Sequence, residues 1–265
     1  MDFGRQLREW RSHRNLSQLD LAMEAGISSR HLSFLETGRS RPTEGMIIRI
    51  AEALDLTFKV QNELFAAAGF APRFASAEKE GIGGLPKPVR EALRLVLDRH
   101  APWPAIVFDA DHDILSANAG FAALGSALGI AAGAGANILG LVVESGPVRD
   151  AIVNFDEVAG LFLRRARNEA RLHGPRSALA KRIARYEADA DLGRFFAPEA
   201  ADRNPPPVIA VRLRLGDLET QWITTLTSFG SAQEVLSQGI FIEQYFPADE
   251  RTRAIADSIG KNGKG

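Results

Sequence analysis

The stretch from Leu16 to Glu36 constrains the fold of this 265-residue chain more than any other feature. It has the pattern of two short helices joined by a tight turn. Ser17 and Ser28 have the side chains that cap helix N-termini. Gly26 lies between them, where glycine takes the left-handed conformation at little cost.

Apolar spacing in this stretch predicts the buried side of each helix. In the first helix, Leu19, Ala22 and Met23 recur at i, i+3 and i+4 on one apolar face. In the second, Leu32 and Leu35 point inward, one turn apart. The outer face then carries Ser29, Arg30, Ser33 and Thr37. A short helix with hydrogen-bond donors along its outer face suits a DNA major groove, so the pattern predicts a helix-turn-helix.

Three further helices are predicted around this motif. Residues 2–14 place Phe3, Leu7 and Trp10 on a core face, a fourth helix begins at Thr43-Glu44, and a fifth runs from about 58 to 68. We therefore expect a compact all-α domain over residues 1–70. Arginines recur in the first helix at positions 5, 8, 11 and 14, and both a solvated helix face and phosphate contacts remain open for them.

These residues resemble a known family. Ser17-Gln18, Ala22, Gly26-Ile27-Ser28, Leu32-Ser33, Leu35-Glu36 and Gly38-Arg39 with Pro42 stand at the spacing of the lambda-repressor/Cro-like (Xre-type) DNA-binding domain. The resemblance covers about the first 70 residues. It implies that the second-helix glutamine meets the DNA backbone or a base edge, that the start of the third helix reads bases, and that the following loop meets phosphate. We therefore expect double-stranded DNA to be contacted by Gln18, Ser28, Ser29, Arg30, Ser33, Arg39 and Arg41. Glu36 is expected to hold the fold, because phosphates would repel its carboxylate.

Composition adds only outer limits. The chain has no cysteine, which excludes disulfides, thiolate metal sites and cysteine nucleophiles. Its formal net charge of −1 gives DNA binding no support, so the placement of charge matters more than its sum. No secretory segment or membrane-spanning apolar run is found, so we expect a cytoplasmic protein with no membrane partner.

A second domain is predicted beyond a linker over residues 71–85, which is rich in glycine and proline. A helix over 86–100 leads into a strand at 105–108, a polar turn from Asp109 to Asp113 and a second strand at Ile114-Leu115. Asn118 then caps a helix that carries Phe121, Leu124 and Leu128. The polar turn contains possible metal ligands, but acids at a two-residue period fan out to opposite faces, which favours turn chemistry over a metal.

The rest of the domain is first helical and then β. Residues 138–144 and 147–190 are mostly helical, Val208 to Leu215 and Gln221 to Phe229 form a hairpin around Gly216-Asp217, and residues 239–246 give one more strand. Two strands, a helical insertion and three strands resemble a PAS domain. We therefore expect an α+β PAS-like domain with an antiparallel sheet over 86–257, and a flexible tail over 258–265.

The two halves together resemble the MmyB-like transcription regulators. The resemblance rests on Asn118, on the run from Asn154 to Leu161, and on Ile242-Glu243 with Phe246-Pro247 and Asp249. The chain departs from that family near Asp111-His112, where a tryptophan is often found. The resemblance implies a DNA-binding transcriptional regulator whose C-terminal domain senses a fatty acid or similar apolar molecule.

Candidate ligand contacts follow from the aromatic residues and arginines of this domain. Apolar contacts are expected from Phe108, Phe162, Trp222, Phe241 and also Phe229, with ordinary core packing as the alternative for each. Arg164 and Arg165 are the candidate partners of a ligand carboxylate, with plain solvent exposure as the alternative.

Two other functions remain open from sequence. The C-terminal half can instead be a dimerisation or protein-docking module with no ligand, or an enzyme tethered to DNA. No zincin-like histidine pair, dinucleotide loop or nucleophile elbow is found, so we expect neither catalytic residues nor a metal or cofactor. We also expect a homodimer, because one recognition helix reads only a few base pairs.

Overall fold

The computed structural model of the chain describes residues 2–74, 81–131, 133–174, 177–197, 210–228 and 239–262. The chain divides into two compact units, the first built mainly from the N-terminal residues and the second from most of the remainder. Each unit is described separately. This confirms the expectation of two domains, one all-α and one α+β.

The first unit consists of five helices. They are α1 (Phe3–His13), α2 (Gln18–Glu24), α3 (Ser29–Glu36), α4 (Glu44–Ala53) and α5 (Phe58–Ala67). One core joins them, with Leu7, Leu21, Leu32, Ile50 and Leu64 fully buried. The helix count and bounds agree with the sequence analysis to within about one residue.

Local capping explains why the chain turns where it does between α2 and α3. Ser17 and Asp20 form a reciprocal capping box at the start of α2. Gly26 has a φ of +63°, and the amide of Ile27 donates to the carbonyl of Ala22, which closes the end of α2. The hydroxyl of Ser28 accepts from the amide of His31 and so starts α3. These predicted caps are confirmed.

The predicted buried face of α2 is confirmed for Ala22 and wrong for Leu19 and Met23. Leu19 is 60% exposed and Met23 is 68% exposed, whereas Leu21 and Ala22 lie in the core. A seven-residue helix makes about two turns, and the buried Leu21 and Ala25 have the same i, i+4 spacing as Leu19 and Met23. Packing against α3 and α4, which the sequence pattern does not contain, decides between the two faces.

The second unit is a five-stranded antiparallel sheet with helices on both faces. Its strands are β1 (Ala105–Phe108), β2 (Ile114–Ala117), β3 (Ala210–Leu215), β4 (Leu218–Ser228) and β5 (Phe241–Pro247), in the order β2-β1-β5-β4-β3. The predicted hairpin is confirmed, with Gly216 at a φ of +60° in the two-residue turn between β3 and β4. Val208 and Phe229, which the predicted strands included, lie outside the described residues.

The helices of the second unit follow the predicted order up to the sheet, and a C-terminal helix that was not predicted comes after the last strand. They are α6 (Lys87–His100), α7 (Ala119–Ala127), α8 (Ile138–Val143), α9 (Pro147–Ala151), α10 (Phe155–His173), α11 (Ala178–Glu187) and α12 (Glu250–Asn262), with 3₁₀ helices at Gly81–Gly84 and Leu192–Phe196. Leu93 and Leu97 of α6 pack with Val107 and Ile242 on one face of the sheet. Side chains alternate along a strand, so Glu243 and Tyr245 lie on the opposite face.

Two predicted boundaries need correction. The first 3₁₀ helix buries Ile82, and Leu85 joins the same core, so residues 81–85 belong to the second unit and not to the linker. The C-terminal helix continues to Asn262, so a tail that begins at 258 starts too early. In both places a few apolar or helix-forming residues join a neighbouring element, which composition alone does not reveal.

Candidate DNA-contact surface and ligand cavity

The outer face of α3 presents the polar side chains expected to read DNA. Ser29 and Arg30 are exposed and Ser33 is half-buried, while Leu32, Leu35 and Glu36 on the opposite side are buried. The Arg30 guanidinium carbon lies 5.5 Å from the centroid of the Phe34 ring, one turn further along the helix. This contact orients the Arg30 side chain along the outer face of α3.

The other expected contacts flank that face. Gln18 is the first residue of α2, Ser28 precedes α3, and Arg39 and Arg41 are exposed in the loop after α3. Within the described part of the chain, the structure gives neither loop arginine an ion-pair partner. The residues expected to contact DNA therefore border the outer face of one helix.

Glu36 holds this arrangement from the inside. Its carboxylate accepts from Nε and Nη2 of Arg11 at 2.6 and 3.1 Å and from Nε2 of Gln18 at 2.7 Å, and Nε of Arg8 lies 3.5 Å away. Burial on its own would raise the pKa of the Glu36 carboxyl, but the hydrogen bonds from Arg11 and Gln18 and the positive charges of Arg11 and Arg8 lower it. The expected structural role of Glu36 is confirmed.

Each arginine of α1 has a partner within the chain. Arg8 and Arg11 are directed to Glu36, Arg14 donates to the carbonyls of Leu54 and Asp55, and Arg5 pairs with Glu9 at 3.8 Å. These four side chains have partners within the chain, which sets them apart from Arg39 and Arg41.

The second unit contains an apolar cavity between its sheet and its helices. The space open to the centre of a water molecule is about 60 Å³, within a wider cleft of about 570 Å³ of atom-free space that is continuous with solvent. The lining residues come from α7 to α10, β3, β5 and the intervening loops: Phe121, Leu124, Gly125, Leu128, Ile130, Ile138, Leu141, Val142, Val148, Ile152, Val158, Phe162, Val211, Leu213 and Tyr245. Five of the lining residues are only half-buried and mark its solvent side: Leu128, Ile130, Leu141, Val148 and Phe162.

The structure places one of the candidate ligand contacts, Phe162, in this lining. Phe108 instead stacks on Phe241 at a ring-centroid distance of 5.5 Å, and the indole of Trp222 donates to the hydroxyl of Thr220 at 3.0 Å. Arg164 and Arg165 also lie outside the lining. Sequence reasoning recognised the apolar face of α7, which supplies Phe121, Leu124 and Leu128, but missed Tyr245, which closes the cavity from the sheet side.

A buried polar cluster continues from Tyr245. Glu243 is 3% exposed and is hydrogen-bonded to Tyr245. Burial raises the pKa of the Glu243 carboxyl to about 7, although the charge of Arg165 acts in the opposite direction. The pKa of the Tyr245 hydroxyl is also raised, first by burial and then by Glu243, so it stays a neutral phenol.

Glu169 on α10 completes the polar cluster. It accepts from Nε of Arg165 at 2.7 Å and from Nε2 of His112 at 2.7 Å. Burial on its own would raise the pKa of the Glu169 carboxyl, but the hydrogen bond from His112 and the charge of Arg165 lower it to about 2. Glu169 is therefore ionised and already neutralises Arg165.

The polar turn between β1 and β2 needs no metal to explain its acids. Oδ1 of Asp109 accepts from the amides of Asp111 and Asp113, and Oδ1 of Asp111 accepts from the amide of Leu179. The predicted turn chemistry is confirmed. Among the described residues, no group of three acidic, histidine or cysteine side chains is placed to hold a metal ion. No helix in the same ranges is long and apolar enough to cross a bilayer.

Comparison with known proteins agrees with this division. Residues 2–64 match a family described as helix-turn-helix domain, and residues 89–258 match one described as MmyB-like transcription regulator ligand binding domain. Over 83 residues the chain is 37% identical to a Bacillus subtilis (strain 168) protein named uncharacterized HTH-type transcriptional regulator RghRB. That alignment covers 31% of this chain and 58% of the relative, so the chain spans a little over half of the relative's length.

Proposed function

This chain belongs to the MmyB-like transcription regulators, and on that premise we propose that it is a cytoplasmic, sequence-specific DNA-binding regulator whose C-terminal domain senses a small apolar molecule. The observation that carries the DNA-binding half is the division of α3 into a buried apolar side and an outer side with Ser29, Arg30 and Ser33. The observation that supports sensing is a cavity lined almost entirely by hydrocarbon.

Arg30 is the residue that we assign to base readout. An arginine on the outer face of a recognition helix pairs best with guanine in the major groove. Gln18 suits a contact with the DNA backbone, since Glu36 holds its amide group at the start of α2. Arg39 and Arg41 supply charge for phosphates without reading sequence.

Binding-site selection with the full chain tests this assignment. Arg30→Ala should cost roughly 1–3 kcal/mol on the preferred site and relax specificity at one position. Arg5→Ala is the matched control, because it removes the same charge from an exposed position on α1 and should leave the selected motif unchanged. An unchanged motif with Arg30→Ala would remove Arg30 from the readers.

We also propose a homodimer. A single recognition helix contacts only a few base pairs, and two-fold proteins lengthen the site with half-sites about 10 base pairs apart. Sedimentation of the full chain at micromolar concentration, with and without DNA, should give a dimer. Binding-site selection should return a palindromic motif. A monomer under both conditions would contradict this part of the proposal.

Native mass spectrometry of the chain purified from cells tests the sensing half. A co-purifying small molecule supports a ligand-binding domain. A dimer that carries no small molecule and has no thermal response to apolar compounds would favour a docking module in its place.

A further inference from the structure

Tyr245 connects the cavity to a titratable group. It lines the cavity from the sheet side, and its hydroxyl is hydrogen-bonded to the carboxyl of Glu243, two residues earlier on β5. Residues two apart on a strand share a face of the sheet, so both side chains lie on the side that carries the cavity. Across the sheet, Glu243 is paired with Ile106 of β1 and Leu226 of β4, neither of which titrates. The contents of the cavity are therefore one side chain away from the Glu243 carboxyl.

The polar groups around Glu243 leave it able to change charge near neutral pH. Among the described residues, the groups that act on its charge are Arg165 and Glu169 of α10 and Tyr245 of its own strand. Arg165 is paired with Glu169 at 2.7 Å, and Glu169 also accepts from His112, so the pKa of Glu169 is lowered to about 2. Burial raises the pKa of the Glu243 carboxyl to about 7. Glu243 thus titrates while Glu169 stays ionised.

Filling the cavity favours the neutral form of the Glu243 carboxyl. The cavity has room for a few water molecules and is continuous with solvent through a wider cleft. Water beside Tyr245 stabilises a nearby negative charge, and a hydrocarbon chain that takes its place does not. Because linkage between two binding events is reciprocal, protonation of Glu243 must then strengthen binding of that chain.

We propose that the second unit binds its apolar ligand with uptake of a proton on Glu243, so that ligand sensing is coupled to pH through the hydrogen bond between Glu243 and Tyr245. This inference rests on the proposed sensing function, because it adds regulation to the same site. At a given ligand concentration, a lower pH raises the ligand-bound fraction and a higher pH lowers it.

Calorimetric titration of the full chain with octanoate and with 1-octanol tests this coupling. Neither probe titrates between pH 6 and pH 8.5, so a dependence on pH that they share comes from the protein. Both should bind at least about fivefold more tightly at pH 6 than at pH 8.5. Titrations at pH 7 in phosphate and in Tris, two buffers with different heats of protonation, should show net proton uptake on binding.

Glu243→Gln removes the titration and keeps the size of the side chain. In this variant the affinity should not depend on pH, and the proton uptake should vanish. Glu250→Gln is the control, since Glu250 is exposed at the start of α12, and it should behave as the unmodified chain does.

Tyr245→Phe gives a second test if Glu243→Gln does not fold. The ring stays in the lining, but the hydrogen bond that lowers the pKa of Glu243 is lost, so proton uptake should move to higher pH.

Two results would overturn this inference and leave the sensing function standing. One is binding of a probe with no dependence on pH. The other is proton uptake that persists in Glu243→Gln, which would assign the proton to another group such as His112. No binding of either probe at any pH would count against both the inference and ligand sensing.

Discussion

Among the described residues, each unit of this protein buries one glutamate, and the surroundings of the two shift their pKa values in opposite directions. Glu36 and Glu243 are both 3% exposed. The pKa of the Glu36 carboxyl is lowered, whereas the pKa of the Glu243 carboxyl is raised to about 7. Burial is therefore not what decides the charge of these groups. The number of donors and cations that meet each carboxylate decides it.

Glu36 and its partners form a buried network of hydrogen bonds and ion pairs, the Glu36 network. Arg11 donates twice and Gln18 once, and Arg8 adds a further positive charge. Such a carboxylate stays ionised across the physiological pH range and fixes α1, α2 and α3 against one another. The helix that presents Arg30 is thus mounted on a constant scaffold, which suits a surface that must match DNA geometry.

Glu243 has fewer partners and weaker compensation. Tyr245 is hydrogen-bonded to it, Arg165 is shared with Glu169, and Glu169 itself repels it. Its protonation state therefore changes near neutral pH. The second unit therefore loses electrostatic stability when Glu243 ionises, and this carboxyl group is hydrogen-bonded to Tyr245 in the cavity lining.

The largest expected effect on stability comes from disrupting the Glu36 network. Glu36→Ala leaves Arg11 and Gln18 without their shared acceptor, and removing one partner of a buried ion pair costs about 4 kcal/mol. Hydrogen exchange of the α1 and α3 amides in the full chain should show a loss of protection of that order. Glu24→Ala, at an exposed position of α2, should change it by less than about 0.5 kcal/mol. Equal protection in both variants would mean that the network adds little stability.

Removing the ionisable group of Glu243 should have the opposite sign. A folded-state pKa of about 7, raised from 4.5, means that burial costs nothing while the carboxyl is protonated in both states, below about pH 4.5. The cost grows as the pH rises from 4.5 to 7 and then levels off at about 3 kcal/mol. Glu243→Gln should therefore stabilise the second unit at pH 8, by up to that amount, and have little effect at pH 4.5.

Urea unfolding measures this difference. Trp10→Phe in all variants leaves Trp103 and Trp222, both in the second unit, as the fluorescent reporters. Glu250→Gln is the exposed control and should show no such dependence on pH. If Glu243→Gln stabilises the unit equally at both pH values, charge burial is not the cause.

Local signals explain why the first unit is well predicted from sequence. Ser17, Gly26 and Ser28 act on backbone groups within a few residues, so their roles can be read from the chain alone. The exception is α2, where Leu19 and Met23 have the same i, i+4 spacing as the buried Leu21 and Ala25. Tertiary packing makes that choice, and a short helix carries too few residues to indicate it.

Local signals do not predict the cavity, because it forms where α7 to α10 meet β3 and β5, two strands much later in the sequence. Alternation in β5 predicts that Glu243 and Tyr245 share a face, but not that this face meets α7 and α10. The aromatic residues Phe108 and Trp222 are equally compatible with lining a cavity and with filling a core. The paired register places both on the sheet face that carries Tyr245, and their packing keeps them out of the cavity: Phe108 stacks on Phe241, and Trp222 is fully buried outside the lining.

The smallest expected effect concerns which arginines contact the DNA phosphates. Arg39 and Arg41 are exposed in the loop after α3, whereas Arg8 is directed to Glu36. Each phosphate contact releases counterions, so Arg39→Ala and Arg41→Ala should each shrink the slope of log affinity against log salt by about 0.9 and weaken all DNA sequences alike. Arg8→Ala removes the same charge from the Glu36 network and should leave that slope unchanged. If Arg8→Ala alters the slope as much as the loop variants do, the Glu36 network is part of the DNA-binding surface. The arginines of α1 and those of the loop after α3 would then not differ in their contact with DNA.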